Sequence, residues 1–173
     1  MDDVTPLNPF ELEFRRVFDR EFQSLFRYAN RWSGDPARAA DVAQETFIRL
    51  YQRGRLPEEL RAWLVSVANN LLRDERRRDV RRERLLNSHA ITDAPARRPD
   101  TDLLAKERRR TVRAALEELV PRDRALLLLR HEGYSYRELA AALHIRESSL
   151  GTLLARARER FRVAMGSKHD ALD

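Results

Sequence analysis

The chain has 173 residues, 42% of them hydrophobic, enough for one large or two small packed domains and too many for global disorder. The net charge is +6, carried almost wholly by arginine because lysine occurs only at Lys106 and Lys168, which fits either a nucleic-acid partner or a solvated, salt-bridged helical surface. With no cysteine, disulfides, thiolate metal sites and cysteine nucleophiles are excluded, and with no long apolar run and an acidic start at Met1-Asp2-Asp3 the expectation is a cytoplasmic protein without membrane insertion.

Five glycines and seven prolines leave few breaks, so the chain reads as all-α. A first helix starts at Asn8 with Pro9 in its first turn and ends at Gly34. Phe10, Phe14, Phe18, Phe22 and Phe26 recur every four residues along it, and Val17, Leu25 and Ala29 widen the stripe into a core-facing side. Asp35-Pro36 opens a second helix that runs to about Arg53 and ends at Gly54. Its apolar side is Val42, Ala43, Phe47, Leu50 and Tyr51. A third helix starts near Pro57 or Glu58 and passes Trp63 and Asn70, and the charged run from Arg73 to Arg78 can extend it. Asn87 to Asp100, with Pro95 and Pro99 and little apolar content, reads as a flexible linker. The chain therefore divides into a first helical domain over 8–86, a linker over 87–100 and a second helical domain over 101–166. The second domain opens with a helix carrying Leu103, Leu104, Val112, Leu116 and Leu119. Another runs from Pro121 to Gly133 through Ala125 and Leu126 to Leu129.

The segment from Tyr134 to Leu150 reads as two helices joined by a tight turn. Ser135 caps the first, and Glu138 three residues on completes a capping box. Leu139, Ala140 and Leu143 form its apolar face, and Ile145 plugs the turn His144-Ile145-Arg146. The second helix starts near Glu147 and ends in Arg156, Arg158, Arg160 and Arg162. This is the pattern of a DNA-binding helix-turn-helix, whose second helix enters the major groove. On that helix Ser149, Thr152 and Arg156 share a face, while Leu150, Leu153, Leu154 and Phe161 are expected to pack inward. Arg146, Ser148, Ser149, Thr152 and Arg156 are the candidate DNA contacts.

No catalytic constellation stands out. The four histidines are scattered, none at metal-binding helical spacing, and no glycine-rich phosphate loop is present. The expectation is a protein without enzymatic activity, cofactor, metal or small-molecule substrate. Two other clusters carry more weight. Asp41, Gln44 and Glu45 lie at i, i+3 and i+4, an acidic and amide face that would repel DNA and suits a basic protein partner, or else a plain solvated helix face. Asn69-Asn70 sit mid-helix, where asparagine is a poor helix former, with Asp74 and Arg76-Arg77-Arg78 beyond them. Amides that reach base edges beside arginines that hold phosphates suit single-stranded DNA. Trp63 can stack on a base or pack in the core with Leu60, Leu64 and Val67.

These blocks together resemble a known family. Asp41-Val42-Ala43-Gln44-Glu45-Thr46-Phe47-Ile48-Arg49-Leu50-Tyr51 is similar to region 2.2 of bacterial sigma factors, and Ala62-Trp63-Leu64 through Asn70 and Asp74 to regions 2.3 and 2.4. Ala115-Leu116-Glu117-Glu118-Leu119 with the helix-turn-helix resembles region 4. The arrangement, without regions 1.1 and 3, is that of the extracytoplasmic-function, or group IV, sigma factors of the sigma-70 family. The resemblance implies a promoter-specificity subunit with core RNA polymerase (β′ coiled coil and β subunit) and promoter DNA as partners, and an anti-sigma factor as a further one. It implies that Asp41, Gln44, Glu45 and Phe47 dock on the β′ coiled coil. It implies that Trp63, Asn69, Asn70, Asp74, Arg77 and Arg78 serve the −10 element, Asn70 helping to hold a flipped base. The second helix of the helix-turn-helix would lie in the −35 major groove.

Three features depart from the family pattern. The loop from Gln52 to Leu60 is short, the run Asp74 to Arg84 is rich in alternating charge, and Gly151 and Leu153 stand where polar contacts are common. From residues alone, two other readings stay open. One is a helix-turn-helix regulator of duplex operators that acts without polymerase, which would need a dimer helix that the sequence does not show. The other is a helical adaptor without DNA binding.

Overall fold

The computed structural model describes residues 8–86 and 103–169, with side chains over 8–82 and 107–167. The expected linker, 87–100, lies outside the described residues. Seven α-helices follow in order: α1 Pro9–Ser33, α2 Pro36–Arg53, α3 Leu60–Leu86, α4 Leu103–Glu118, α5 Pro121–His131, α6 Tyr136–Leu143 and α7 Leu150–His169, with a 3-10 turn Glu147–Ser149 before the last. Among the described residues there is no strand, and no helix is long and apolar enough to cross a membrane.

Local chemistry sets most of these boundaries. At the start of α1 the Asn8 side chain accepts from the Glu11 N–H at 2.9 Å, and Glu11 accepts from the Asn8 N–H at 2.8 Å. Gly34 closes it in the left-handed region at φ 67°, where a side chain would be strained. The Asp35 carboxylate accepts from the Ala37 and Arg38 N–H groups to start α2. The third helix begins at Leu60 rather than at Pro57 or Glu58. Residues 58 and 59 form a turn instead, and the Trp63 N–H donates to the Glu59 carbonyl at 2.9 Å. As expected, α3 continues through the charged run. Arg38 of α2 donates to Asp79 at 2.5 Å, an ion pair that ties the extension to α2.

α1, α2 and α3 form one helical unit and α4 to α7 a second. In the first, Leu25, Tyr28, Ala29, Val42, Phe47, Leu50, Leu64 and Val65 are all buried. The phenylalanine ladder packs as expected. Phe14, Phe18 and Phe22 place their ring centroids 6.2, 4.9 and 5.9 Å from Phe47. Tyr51, expected on the apolar side of α2, is 49% exposed and caps this ladder against Phe10 and Phe14. Val112, one of the apolar residues read on α4, is 40% exposed. In the second unit Leu126, Leu129, Leu139, Leu150 and Leu154 are fully buried. The two units also pack on each other, α6 against α3 and α5 against α1, and their apolar residues join in one buried cluster.

Candidate polymerase and nucleic-acid interface

Three exposed faces carry the predicted residues. On α2, Asp41 and Gln44 are exposed and Glu45 is half-exposed, accepting from Arg49 at 2.8 Å. Phe47 does not belong to this face. It is 2% exposed, because at i+6 from Asp41 it turns towards α1 and the phenylalanine ladder. It acts as the rigid floor under the face rather than as a contact. The exposed apolar residue there is Ile48, 49% exposed at i+7 from Asp41 and i+4 from Gln44. The sequence signal was present in that spacing. Asp41, Gln44, Glu45 and Ile48 together make a polar patch with an apolar anchor, the composition of a protein-docking site.

On α3 the two asparagines part. Asn70 is exposed. Asn69 is 6% exposed, and its Oδ1 accepts from the Tyr28 hydroxyl at 3.1 Å inside the core. The expected DNA contact at Asn69 is therefore replaced by a structural hydrogen bond that answers for one of the two mid-helix amides. Burial raises the Tyr28 pKa well above the usual phenol range, so the hydroxyl keeps its proton and stays a donor. Trp63 is half-buried, packed against the core cluster with the Arg53 guanidinium 5.9 Å from its ring centroid. Asp74, Arg77 and Arg78 are exposed along the same helix, Arg77 lying 3.6 Å from Asp74. Exposed Arg73, one turn beyond Asn70, was missed by sequence reasoning.

The helix-turn-helix is built as expected up to the turn. Ser135 accepts from the Glu138 N–H at 3.2 Å, and Glu138 accepts from the Ser135 N–H at 2.7 Å. Partial burial pushes the Glu138 pKa up, but those bonds and Arg61 outweigh it and hold the carboxylate below its usual range. His144 ends α6 at φ 54°, the one non-glycine residue with positive φ among those described. A 3-10 turn over Glu147–Ser149, in place of the first helical turn, leads into α7. Leu150 and Leu154 are fully buried, and Leu153 and Phe161 are half-buried against the core. Arg146, Ser148, Thr152 and Arg156 are exposed and Ser149 is half-buried. Of the terminal arginines, Arg160 pairs with buried Asp123 and Arg162 with Glu159 at 2.7 Å. Arg146 and Arg156 take no ion pair among the described residues, which leaves both guanidiniums available to phosphate or guanine.

No group of three or more histidines and carboxylates among the described residues could hold a metal ion. The three faces differ in character, one acidic with an apolar centre and two carrying exposed arginines.

Comparison with known proteins matches both helical units to one family. Residues 17–82 match the family model of sigma-70 region 2 and residues 109–161 that of sigma-70 region 4. The chain is 32% identical over 145 residues to the ECF RNA polymerase sigma factor SigL of Mycobacterium tuberculosis, covering 81% of each protein. It is 29% identical over 153 residues to the ECF RNA polymerase sigma factor SigX of Bacillus subtilis, covering 82% of this chain and 78% of that one. Among solved structures, the sigma factor RpoE in complex with the anti-sigma factor NepR from Bartonella quintana shares the fold. Its TM-score is 0.66 at 21% identity, over 89% of this chain and 97% of that chain.

Proposed function

Because the chain belongs to the extracytoplasmic-function RNA polymerase sigma factors of the sigma-70 family, we propose an assignment of its three exposed faces to the steps of promoter recognition. The protein is a promoter-specificity subunit: it joins core RNA polymerase, recognises −35 and −10 elements and helps initiate transcription. Sigma factors are regulatory subunits, and this one works by binding and positioning, without catalysis of its own. Its place of work is the cytoplasm, where the polymerase is.

The α2 face of Asp41, Gln44, Glu45 and Ile48 docks on the β′ coiled coil, with Phe47 holding the face in shape from beneath. Asn70 holds a base of the melted −10 strand, with Arg73, Arg77 and Arg78 on its phosphates and Trp63 beside it. In region 4, Thr152 and Arg156 point into the −35 groove, and Arg146 and Ser148 anchor the backbone at the turn. Phosphate contacts set register and the few base contacts specify sequence. An anti-sigma factor is a further partner. The solved relative RpoE is held by one, NepR.

The observation that carries this reading is the segregation of charge. A basic chain keeps an exposed acidic and apolar face on α2, while exposed Arg73 and Arg78 on α3 and Arg146 and Arg156 at the helix-turn-helix take no ion pair among the described residues. Run-off transcription with purified core polymerase tests it. Promoter-dependent transcripts are expected only when this protein is added, and loss of core binding is expected for Asp41→Arg with Glu45→Arg. Core enzyme that binds and transcribes equally with and without these changes would overturn the assignment.

A further inference from the structure

Buried polar atoms are almost always hydrogen-bonded, and an unpartnered one on a cavity wall calls for an explanation. Two of them line one cavity of about 370 Å³: Glu75 Oε2 of α3, an acceptor, and Arg124 Nε of α5, a donor. Arg124 is 2% exposed and held in place, since it donates to the Trp32 carbonyl with its guanidinium 4.9 Å from the Trp32 ring centroid. The Glu75 carboxylate accepts no hydrogen bond among the described residues. Burial raises its pKa against the pull of Arg38, so the carboxylate is short of donors where it stands. Trp32, Leu72 and Val80 supply the apolar part of the wall. The other carboxylates of the cavity are already committed, Asp79 to Arg38 at 2.5 Å and Glu117 to Arg113 at 3.4 Å.

A second cavity, about 400 Å³, continues from the first, because Trp32, Arg76 and Val80 line both. Its chemistry is different. Arg73, Arg76, Arg77 and Arg81 of α3 line it, and among the described residues Arg73, Arg76 and Arg81 take no ion pair. Pro121 lines it too, at the N-terminus of α5, where the N-cap Val120 makes no side-chain bond and the helix dipole favours negative charge. Guanidiniums gathered at one end of a groove make a seat for phosphate. The groove thus has a half-apolar end with one orphaned acceptor and one orphaned donor, and a cationic end. Both volumes lie in the range of small-molecule sites, about 300–1,000 Å³.

We infer that this groove binds a free guanine nucleotide, its base between Glu75 and Arg124 and its phosphates on the arginines of α3. A carboxylate only accepts and an arginine Nε–H only donates. Guanine answers both. Its N1–H and 2-amino group stand side by side, a matched pair of donors for a carboxylate, and O6 and N7 on the next edge accept from arginine. Adenine, cytosine and uracil present no such pair of N–H donors, so each would leave a carboxylate oxygen unpaired in a buried place, which is costly. Arg73 and Arg77 are also the arginines assigned to the −10 strand, so nucleotide and strand would compete for them. The site does not depend on that assignment, because Glu75 and Arg124 define it.

The experiment is isothermal titration of the full chain with GTP, ATP, CTP, UTP and guanosine. GTP is expected to fill one site per chain, with the other three triphosphates bound at least tenfold more weakly, a difference of about 1.4 kcal/mol. Guanosine, which has no phosphate, is expected to bind at least tenfold more weakly than GTP. Glu75→Gln, close to the same size, should lower the affinity for GTP about tenfold and leave that for ATP unchanged. Arg81→Ala should weaken GTP and ATP alike, as loss of a phosphate contact does. Val80→Trp, at a 39% exposed position shared by both cavities, fills the groove and should abolish GTP binding. It answers the same question should Glu75→Gln fail to fold, as read by its circular dichroism. Equal affinity for GTP and ATP in the unmodified chain would overturn the inference, as would GTP binding that survives Val80→Trp. So would binding of a guanine-containing single strand by a chain that takes up no GTP, which would leave these arginines to the strand alone.

Discussion

Asn69 and Asn70 are adjacent on α3, and helix geometry turns them about 100° apart. One side chain enters the core and bonds Tyr28; the other meets solvent. Asn69→Ala would strand the buried Tyr28 hydroxyl and is expected to cost about 1–3 kcal/mol, read as a lower urea midpoint with unchanged slope. Asn70→Ala should leave stability within about 0.5 kcal/mol. Its effect should fall on open-complex formation, read by permanganate reactivity of melted thymines, more than on recruitment. Equal loss in both assays would assign Asn70 a structural role. The same division applies at Phe47 and Ile48. Phe47→Ala should cost about 3–5 kcal/mol, because its ring fills the space between Phe14, Phe18 and Phe22. Ile48→Asp should leave the melting temperature almost unchanged and weaken co-purification with core polymerase.

At the scale of the element, α7 and α6 each hold a testable feature. Gly151 lies in the first turn of α7 with open space where a Cβ would stand. Gly151→Ala is expected to stabilise the protein by about 0.5–1 kcal/mol, by removing the entropic cost of glycine in a helix. Selection from a randomised −35 library then shows whether the absent side chain admits a close approach of DNA. Enrichment of the same sequences by both proteins would mean that it does not. The capping box of α6 makes that helix sensitive to acid. The Glu138 carboxylate has a depressed folded-state pKa, so its contribution is full above the unfolded value and is lost as the pH falls through the folded one. The melting temperatures of wild type and Glu138→Gln should differ at neutral pH and converge below the usual carboxylate range.

At the scale of the whole molecule, what matters is how far the two units can separate. Sixteen residues, 87–102, stand between Leu86 and Leu103, a reach of about 55 Å when fully extended. Joining two weak binding units on one chain converts the second contact into an intramolecular one. Halving this segment would cap the reach at about 25–30 Å. It is expected to reduce affinity for a promoter carrying both elements, with binding to either element alone unchanged, as measured by gel shift on one-element and two-element duplexes in the presence of core polymerase. An unchanged two-element affinity would mean that the units reach their elements without using this length.

Most of the helices were legible in the sequence because their signals are local. Asn8 with Glu11, Asp35 before Pro36, Ser135 with Glu138 and the glycines after α1 and α2 each act within one turn of backbone. The phenylalanine period and the leucines of the second unit marked which sides face inward, since burial follows the 3.6-residue repeat. The acidic face of α2 and the exposed face of α7 could be read for the same reason. Which residue of a pair enters the core could not. Asn69 is internal because Tyr28, 41 positions away, offers it a donor, and Phe47 is internal because α2 is folded back on the α1 ladder. The docking of the two units was equally hidden. Arg61, Arg113 and Arg124 look like any other arginines in a basic chain. Only tertiary structure brings them to Glu21, Glu138 and the free carbonyls at the end of α1, because pairing across 40 to 92 positions leaves no periodic trace in the sequence.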